Sequence, residues 1–540
     1  MPTLTIDGQE ITVDRGTTIL QAAEQIGVEI PTFCYHPGLS IVANCRMCLV
    51  NTNKSPKPLP ACHAQVMDGM EVTTTSEEVE RTRKSVLEFI LLNHPVDCPI
   101  CDQAGECVLQ DHYFKYSAEP SRLIHRKRHK AKAKVLGPAV ILDAERCILC
   151  TRCVRFCDEV AEDSQLEIVN RGEKSEITTF PGMQLDNPYS INTVDICPVG
   201  ALTSRDFRFR TRVWMLQSER SVCPECARGC TTRIDTFENV PRRYKPAHNP
   251  KVNDWWMCDK GRLSVGDYLE GRMEGPTALS DDGRRFATTT QRALEHAASS
   301  IQAAGGNNRV AVVVSPWSTN EDAYLVGRLL QGPLEGAQVF LGGRAPGDSD
   351  EVLIQADKNP NSLGLSTIFD ALEIDFKPLA DFRTGDVETV VIFGDNHTVE
   401  GDAWGALLSV PRRVVIGAFK NRWWDMATTF LPARLHWEKD GTFTNFEGIV
   451  QRIQRAIRAA GTVKSEGFYA MKLAQAFGAP LSFSSPAAIF ADLGTHVTEF
   501  AGLSHDSLGD HGAQLGSGLV ASAPPPVPPE TPSQDTVGGA

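Results

Sequence analysis

The chain has 540 residues, 41% of them hydrophobic, sixteen cysteines and a formal net charge of −13; that length fits three to five domains with packed cores. The negative charge argues against general nucleic-acid binding. No apolar run reaches the roughly eighteen residues of a membrane span, and the start Met1-Pro-Thr-Leu-Thr-Ile-Asp7 lacks the basic and apolar regions of a signal peptide, so a cytoplasmic protein is expected.

All the cysteines lie between Cys34 and Cys258. A disulfide scaffold belongs to small secreted chains and does not fit here. Cys-x2-Cys spacing serves both zinc ribbons and iron–sulfur clusters, so each group of cysteines has to be weighed separately.

Thr3–Ile6 and Ile11–Val13 flank Asp7-Gly8 and predict a hairpin. Thr17 or Thr18 can cap a short helix carrying Leu20, Ala23 and Ile26 on one face. Two strands, a helix and a cysteine loop follow the order of a small β-grasp ferredoxin. Cys34, Cys45, Cys48 and Cys62 supply one Cys-x2-Cys pair with two outlying thiols. That pattern suits a [2Fe–2S] cluster better than a ribbon with two such pairs. His36 and His63 stand beside thiols and are read as loop or surface residues.

Ser76 to Leu92 predicts a helix with Val79, Val86, Leu87, Ile90 and Leu91 on one face, ended by Pro95. His94 leaves that helix, and Cys98, Cys101 and Cys107 follow. Alone, this set could be a zinc site of one imidazole and three thiolates. The spacing resembles the histidine-ligated [4Fe–4S] motif shared by iron hydrogenases and respiratory complex I. The basic run His125–Lys134 is read as a solvated loop, with contact to an acidic partner as the alternative.

Val140–Asp143 predicts a strand leading to Cys147, Cys150, Cys153 and Cys157. This looks like half of a two-cluster bacterial ferredoxin, in which the fourth cysteine of a run serves the other cluster. Cys197-Pro198 ends the second run, but Asn187, Ser190 and Thr193 stand at its three upstream positions. The second cluster is therefore missing. Cys197 is expected to complete a [4Fe–4S] set with Cys147, Cys150 and Cys153, which leaves Cys157 as a buried free thiol. Cys223, Cys226, Cys230 and Cys258, followed by Asp-Lys260-Gly-Arg, resemble the [4Fe–4S] domain that opens molybdopterin oxidoreductases; zinc is the alternative.

Beyond residue 272, Val310–Val314, Thr389–Phe393, Val414–Gly417 and Ala488–Ala491 read as buried strands. Asn320–Leu330 and Gly467–Phe477 read as helices between them, giving an α/β domain with a largely parallel sheet. Glu438–Gln451 resembles a phrase of molybdopterin-type domains. No cysteine remains to hold molybdenum, the region is about half the usual size, and the turn Gly394-Asp-Asn396 is too weak to assign a nucleotide. This half is read as a cofactor-free scaffold. The Pro-rich stretch from Ala521 is expected to be disordered.

In this order the motifs resemble the large iron–sulfur subunit (75 kDa type) of bacterial NADH:quinone oxidoreductase, respiratory complex I, in a short form. The fold class implied is multidomain α+β and α/β. It comprises a [2Fe–2S] ferredoxin-type domain (1–78), a histidine-ligated [4Fe–4S] domain (79–118) and a [4Fe–4S] ferredoxin-like domain (119–215). A [4Fe–4S] domain of molybdopterin type (216–272), a truncated molybdopterin-oxidoreductase-like domain (273–520) and a tail (521–540) follow. The resemblance implies one [2Fe–2S] and three [4Fe–4S] clusters, with electrons from NADH arriving through a flavin-bearing partner. They enter at the Cys34 set, continue to the Cys147 set and leave from the His94 set to a partner with two [4Fe–4S] clusters, toward quinone. The Cys223 set lies off that path. It also implies a peripheral place on the cytoplasmic face of the inner membrane and proton translocation by the whole complex. The chain offers no nucleophile, base or hydride site of its own. An electron-transfer subunit of an NAD-linked hydrogenase or formate dehydrogenase is the alternative.

Overall fold

Asp7 and Gly8 both take positive φ, 47° and 86°. Such a turn matches the twist of a tight hairpin and joins strands Thr3–Ile6 and Gln9–Thr12 as expected. The computed structural model describes residues 1–117, 119–280 and 282–517; the Pro-rich tail lies outside the described residues. The hairpin belongs to a five-stranded mixed sheet with Met70–Thr73, Leu49–Thr52 and Ser55–Pro60. Thr3–Ile6 runs parallel to Met70–Thr73. Thr18 caps helix Ile19–Gln25 in a reciprocal box with Gln21, and Leu20 and Ala23 face a core that also holds Cys48 and Cys62.

Helix Glu77–Leu91 starts at its Ser76 cap. It buries Val79, Leu87 and also Arg83, while Val86, Ile90 and Leu91 are only half-buried. Arg83 escapes the apolar pattern because its guanidinium lies over the Tyr116 ring at 5.2 Å and its stem packs as a hydrophobe. Two three-stranded antiparallel sheets follow, with the two-stranded ribbon Glu167–Val169 and Glu176–Thr178 beside them in sequence. One joins Leu202–Ser204, Val140–Leu142 and Lys134–Val135; the other joins Gln217–Val222, Thr231–Phe237 and Val240–Pro246.

The C-terminal half is built on an eight-stranded sheet. Six strands are parallel, in spatial order Thr429–Pro432, Arg412–Gly417, Thr389–Phe393, Val310–Val314, Gln338–Leu341 and Lys377–Pro378. Thr277–Leu279 and Arg285–Ala287 add an antiparallel edge. Val310–Val314 and Thr389–Phe393 are buried throughout, as strands covered on both faces must be. Helices Thr290–Gln302, Asn320–Gln331 and Glu466–Ala476 pack on one face, and Gly401–Ser409 and Arg422–Met426 on the other.

Ala488–Ala491, expected as a strand, lies inside helix Pro486–His496. The Ser485 hydroxyl accepts from the Ala488 N–H and Pro486 occupies the first helical position. Phe490, Leu493 and Val497 then share the buried face. The strand order reverses between Val310–Val314 and Thr389–Phe393, where doubly wound sheets form ligand crevices. Here the chain fills that point itself. The Gly343 N–H donates to His397 Nδ1 at 2.8 Å, and buried Asp395 accepts from the Ala418 and Phe419 N–H groups. A Cβ at Gly342 would stand 2.1 Å from the His397 ring.

Candidate metal centres

The first set sits where two loops meet the five-stranded sheet. Cys48 and Cys62 are buried in its core, and Cys34 and Cys45 come from the loop before Leu49. The thiols form two touching pairs: Cys34 with Cys45, and Cys48 with Cys62. The Cys45 side chain, hydrogen-bonded to it, holds the Cys34 thiol below its ordinary range, with help from the nearby Arg155 charge; Cys45 and Cys62 are pushed up by their partners. Two thiols per iron is what a two-iron cluster requires. His63 is exposed, and His36 is stacked on Trp256, so neither joins the set.

The second set forms at the exit of helix Glu77–Leu91. Cys98 opens a short 3-10 turn, and Cys107 is the N-cap of helix Val108–Tyr116. His94, Cys98 and Cys107 line one cavity of about 520 Å³. The Cys101 thiol lies against the backbone of Gly200, where a Cβ would stand 2.4 Å from its sulfur. Burial lowers the His94 imidazole to about 4 and raises the Cys107 thiol to about 11. His94 is thus neutral, the form that binds metal. Its Nδ1 is buried with no hydrogen-bond partner.

The basic run that follows is a loop, but its charges are used within the chain. Lys127 Nζ donates to the carbonyls of Leu91 at 2.6 Å and His94 at 2.7 Å. Lys132 pairs with Glu145 at 2.7 Å. Arg146, next to Cys147, pairs with Asp97, next to Cys98, at 2.7 Å. These contacts lock the His94 loop to the third set.

In that third set, Cys147, Cys150, Cys153 and Cys197 line one small apolar cavity. Leu149 and Thr151 take positive φ, 54° and 64°, which bends the run around the cavity. The Leu149 N–H donates to Cys147 Sγ at 3.4 Å. Burial raises Cys147 to about 12 and Cys150 to about 11. Cys157 lies one helical turn beyond Cys153, fully buried, and does not line the cavity. The replaced positions form a polar network: Ser190 Oγ donates to Asp259 at 2.6 Å, Thr193 Oγ1 donates to the Ser190 carbonyl at 2.6 Å, and Gln165 Oε1 accepts from Asn187.

The fourth set is entirely buried. Cys223 follows strand Gln217–Val222, and Cys258 is the N-cap of helix Asp259–Asp267. Burial raises the Cys223 thiol well above its ordinary range. The Gly261 N–H donates to Cys258 Sγ at 3.4 Å. A Cβ at Gly261 would stand 2.8 Å from Cys223 Sγ, which explains the glycine in Cys258-Asp-Lys-Gly-Arg.

The chemistry of these donor sets, four thiols or three thiols with one neutral imidazole, fits iron–sulfur clusters. The thiols raised by burial become thiolates only when a cation replaces the proton. The orphaned His94 nitrogen supplies a lone pair that nothing among the described residues uses. Sequence spacing singled out the candidate ligands but missed Gly200, Arg146, Asp97 and Lys127, whose contacts appear only once distant segments meet.

Three segments of the cysteine-bearing part match family models. Residues 1–77 match the family model described as "2Fe-2S iron-sulfur cluster binding domain". Residues 83–122 match "NADH-ubiquinone oxidoreductase-G iron-sulfur binding region", and residues 137–203 match "NADH-quinone oxidoreductase subunit 3, ferredoxin-like domain". The NADH-ubiquinone oxidoreductase 75 kDa subunit of Reclinomonas americana is 39% identical over 363 residues, 66% of this chain and 52% of that protein. The G subunit of NADH-quinone oxidoreductase from Streptomyces coelicolor is 41% identical over 325 residues, 60% of this chain and 38% of its own. The chain therefore spans about half the length, or less, of these relatives. A chain of a solved NAD+-reducing [NiFe]-hydrogenase in the H2-reduced state aligns at 31% identity, over 39% of this chain and 91% of its own, with a TM-score of 0.36.

Proposed function

We propose, on the premise that this chain belongs over its cysteine-bearing part to the family of the NADH-quinone oxidoreductase 75 kDa and G subunits, that it is the electron relay of such an enzyme. The observation that carries the reading is the succession of four donor sets within one half of the chain. Cys34, Cys45, Cys48 and Cys62 would hold a [2Fe–2S] cluster. His94, Cys98, Cys101 and Cys107, then Cys147, Cys150, Cys153 and Cys197, then Cys223, Cys226, Cys230 and Cys258, would each hold a [4Fe–4S] cluster. When bound, these groups supply one-electron redox chemistry tuned by ligand type, burial and hydrogen bonds to sulfur.

The chain's own residues orient, insulate and space the sites. N–H donors at Leu149 and Gly261 face sulfur. Arg146, Asp97 and the segment Cys197–Gly200 hold the Cys147 and His94 sets together. The order of use is from the Cys34 set to the Cys147 set to the His94 set, with the Cys223 set aside from it. The partners are a flavin-bearing NADH-oxidising chain and a two-cluster [4Fe–4S] chain, at the cytoplasmic face of a membrane whose coupled proton transport belongs to the assembly. Among the described residues no helix is long and apolar enough to cross a membrane. The C-terminal α/β half is a scaffold whose crevice is occupied by His397 and Asp395.

The test mixes the purified chain with NADH, with and without the flavin-bearing partner. The reading expects its EPR signals to rise on NADH addition only when the partner is present. Reduction by NADH alone, or none with the partner, would contradict it. Reduction by hydrogen or formate through another partner would favour the alternative enzymes.

A further inference from the structure

The Cys34 loop of the first set lies more than a hundred residues before the third set, yet one short helix joins them. Helix Arg152–Glu159 begins directly after Cys150 and Thr151. Arg152 Nη1 donates to the carbonyl of Ile196 at 3.1 Å, one residue before Cys197, and Nη2 donates to the carbonyl of Tyr35, one residue after Cys34. Arg155 Nη2 donates to the Cys34 carbonyl at 2.6 Å, Nη1 to the Ser40 carbonyl, and Nε to Thr151 Oγ1 at 3.2 Å. At the end of the same helix Glu159 accepts from the Ser40 N–H at 2.8 Å and from its hydroxyl at 2.5 Å.

The two guanidinium groups do more than bridge carbonyls. Burial lowers the pKa of Arg152, and the thiols Cys150, Cys197 and Cys34 and the neighbouring Arg155 act on it next; its guanidinium and that of Arg155 bond to backbone carbonyls. Arg155 in turn acts on Cys34 and on Cys150. Burial, with these two cations, holds His36 down to about 4, so it adds no charge. A desolvated cation without a partner is costly. A site of four thiolates and iron carries net negative charge, and each added electron makes it more so. Cations held between two such sites favour the reduced form of both, the more strongly in a low-dielectric interior. The His94 set has cations of its own, Lys127 on the His94 carbonyl and Arg212 on the Cys101 carbonyl; the contacts of Arg152 and Arg155 go instead to Ile196, Tyr35, Cys34 and Ser40.

We propose that Arg152 and Arg155 are positioning residues that clasp the Cys34 loop against the Cys147 set and raise the reduction potentials of both sites together. The inference rests on the relay reading. It is tested on the anaerobically purified full chain by EPR-monitored redox titration of wild type, Arg152→Gln, Arg152→Lys and Arg155→Gln. The glutamine variants should shift the midpoints of the [2Fe–2S] and Cys147-set signals to more negative values while the His94-set midpoint stays. Arg152→Lys should leave both close to wild type. Loss of iron in Arg152→Gln with recovery in Arg152→Lys supports the same role. Loss in both Arg152 variants overturns the proposal, as do intact glutamine variants with unchanged midpoints or with only one moved. A wild-type chain without iron signals would instead remove the relay reading itself, before any variant is compared.

Discussion

Gly200→Ala adds one methyl group at the junction of two proposed cluster sites. The new Cβ would stand 2.4 Å from Cys101 Sγ and 3.0 Å from Gln103 Cβ. Ordinary contact between such atoms begins near 3.5 Å, so the sulfur or the Gly200 backbone has to move by about 1 Å. In the metal-free chain a cysteine side chain can rotate away. With a cluster bound, its sulfur is fixed by iron and the backbone by the neighbouring ligand Cys197. Overpacking of this kind costs about 1–3 kcal/mol, close to the roughly 10–100-fold loss of metal affinity seen when the surroundings of a ligand are disturbed. The expected outcome is selective: the His94-set EPR signal and its roughly four irons are lost, while thermal unfolding of the metal-free chain changes little. Iron and sulfide content, EPR and a melting curve decide it. A Gly200→Ala protein with full iron and an unchanged His94-set signal would refute the reasoning.

Three other outcomes follow from the same geometry. Gly261→Ala places a Cβ 2.8 Å from Cys223 Sγ and 3.4 Å from Cys258 Sγ, so it should abolish the fourth site and spare the other three, seen as loss of one EPR component. Cys157→Ala should keep all four sites at a stability loss of about 1 kcal/mol from the small cavity; loss of the Cys147-set signal would show that the ligand assignment is wrong. His94→Cys replaces a neutral imidazole by a thiolate, so it should retain about four irons in that site with a more negative midpoint. A midpoint that rises or stays would contradict the charge argument.

The candidate ligands were legible because thiol spacing is a covalent property of the chain, and the Asp7-Gly8 turn and the Thr18 cap were legible because both act within a few residues. Ala488–Ala491 was misread because a four-residue apolar run fits either state; the deciding signal, Ser485 followed by Pro486, sits just outside it. Arg83 was hidden by its charge, although its stem packs like a hydrophobe. The basic run is a loop as expected, but its partners Glu145, Asp97 and the His94 carbonyl lie up to 35 residues away. Arg152, Arg155 and Gly200 carry no local signature at all. Their meaning depends on carbonyls and sulfurs brought close only by the fold.

A four-site relay is a claim about metal content before it is a claim about partners. The most direct test is iron, acid-labile sulfide and zinc per chain on anaerobically purified protein, with EPR after reduction. One two-iron and three four-iron clusters predict about fourteen irons per chain, a matching amount of sulfide, and signals of both cluster types. Stoichiometric zinc in a colourless protein with no EPR signal would contradict the account.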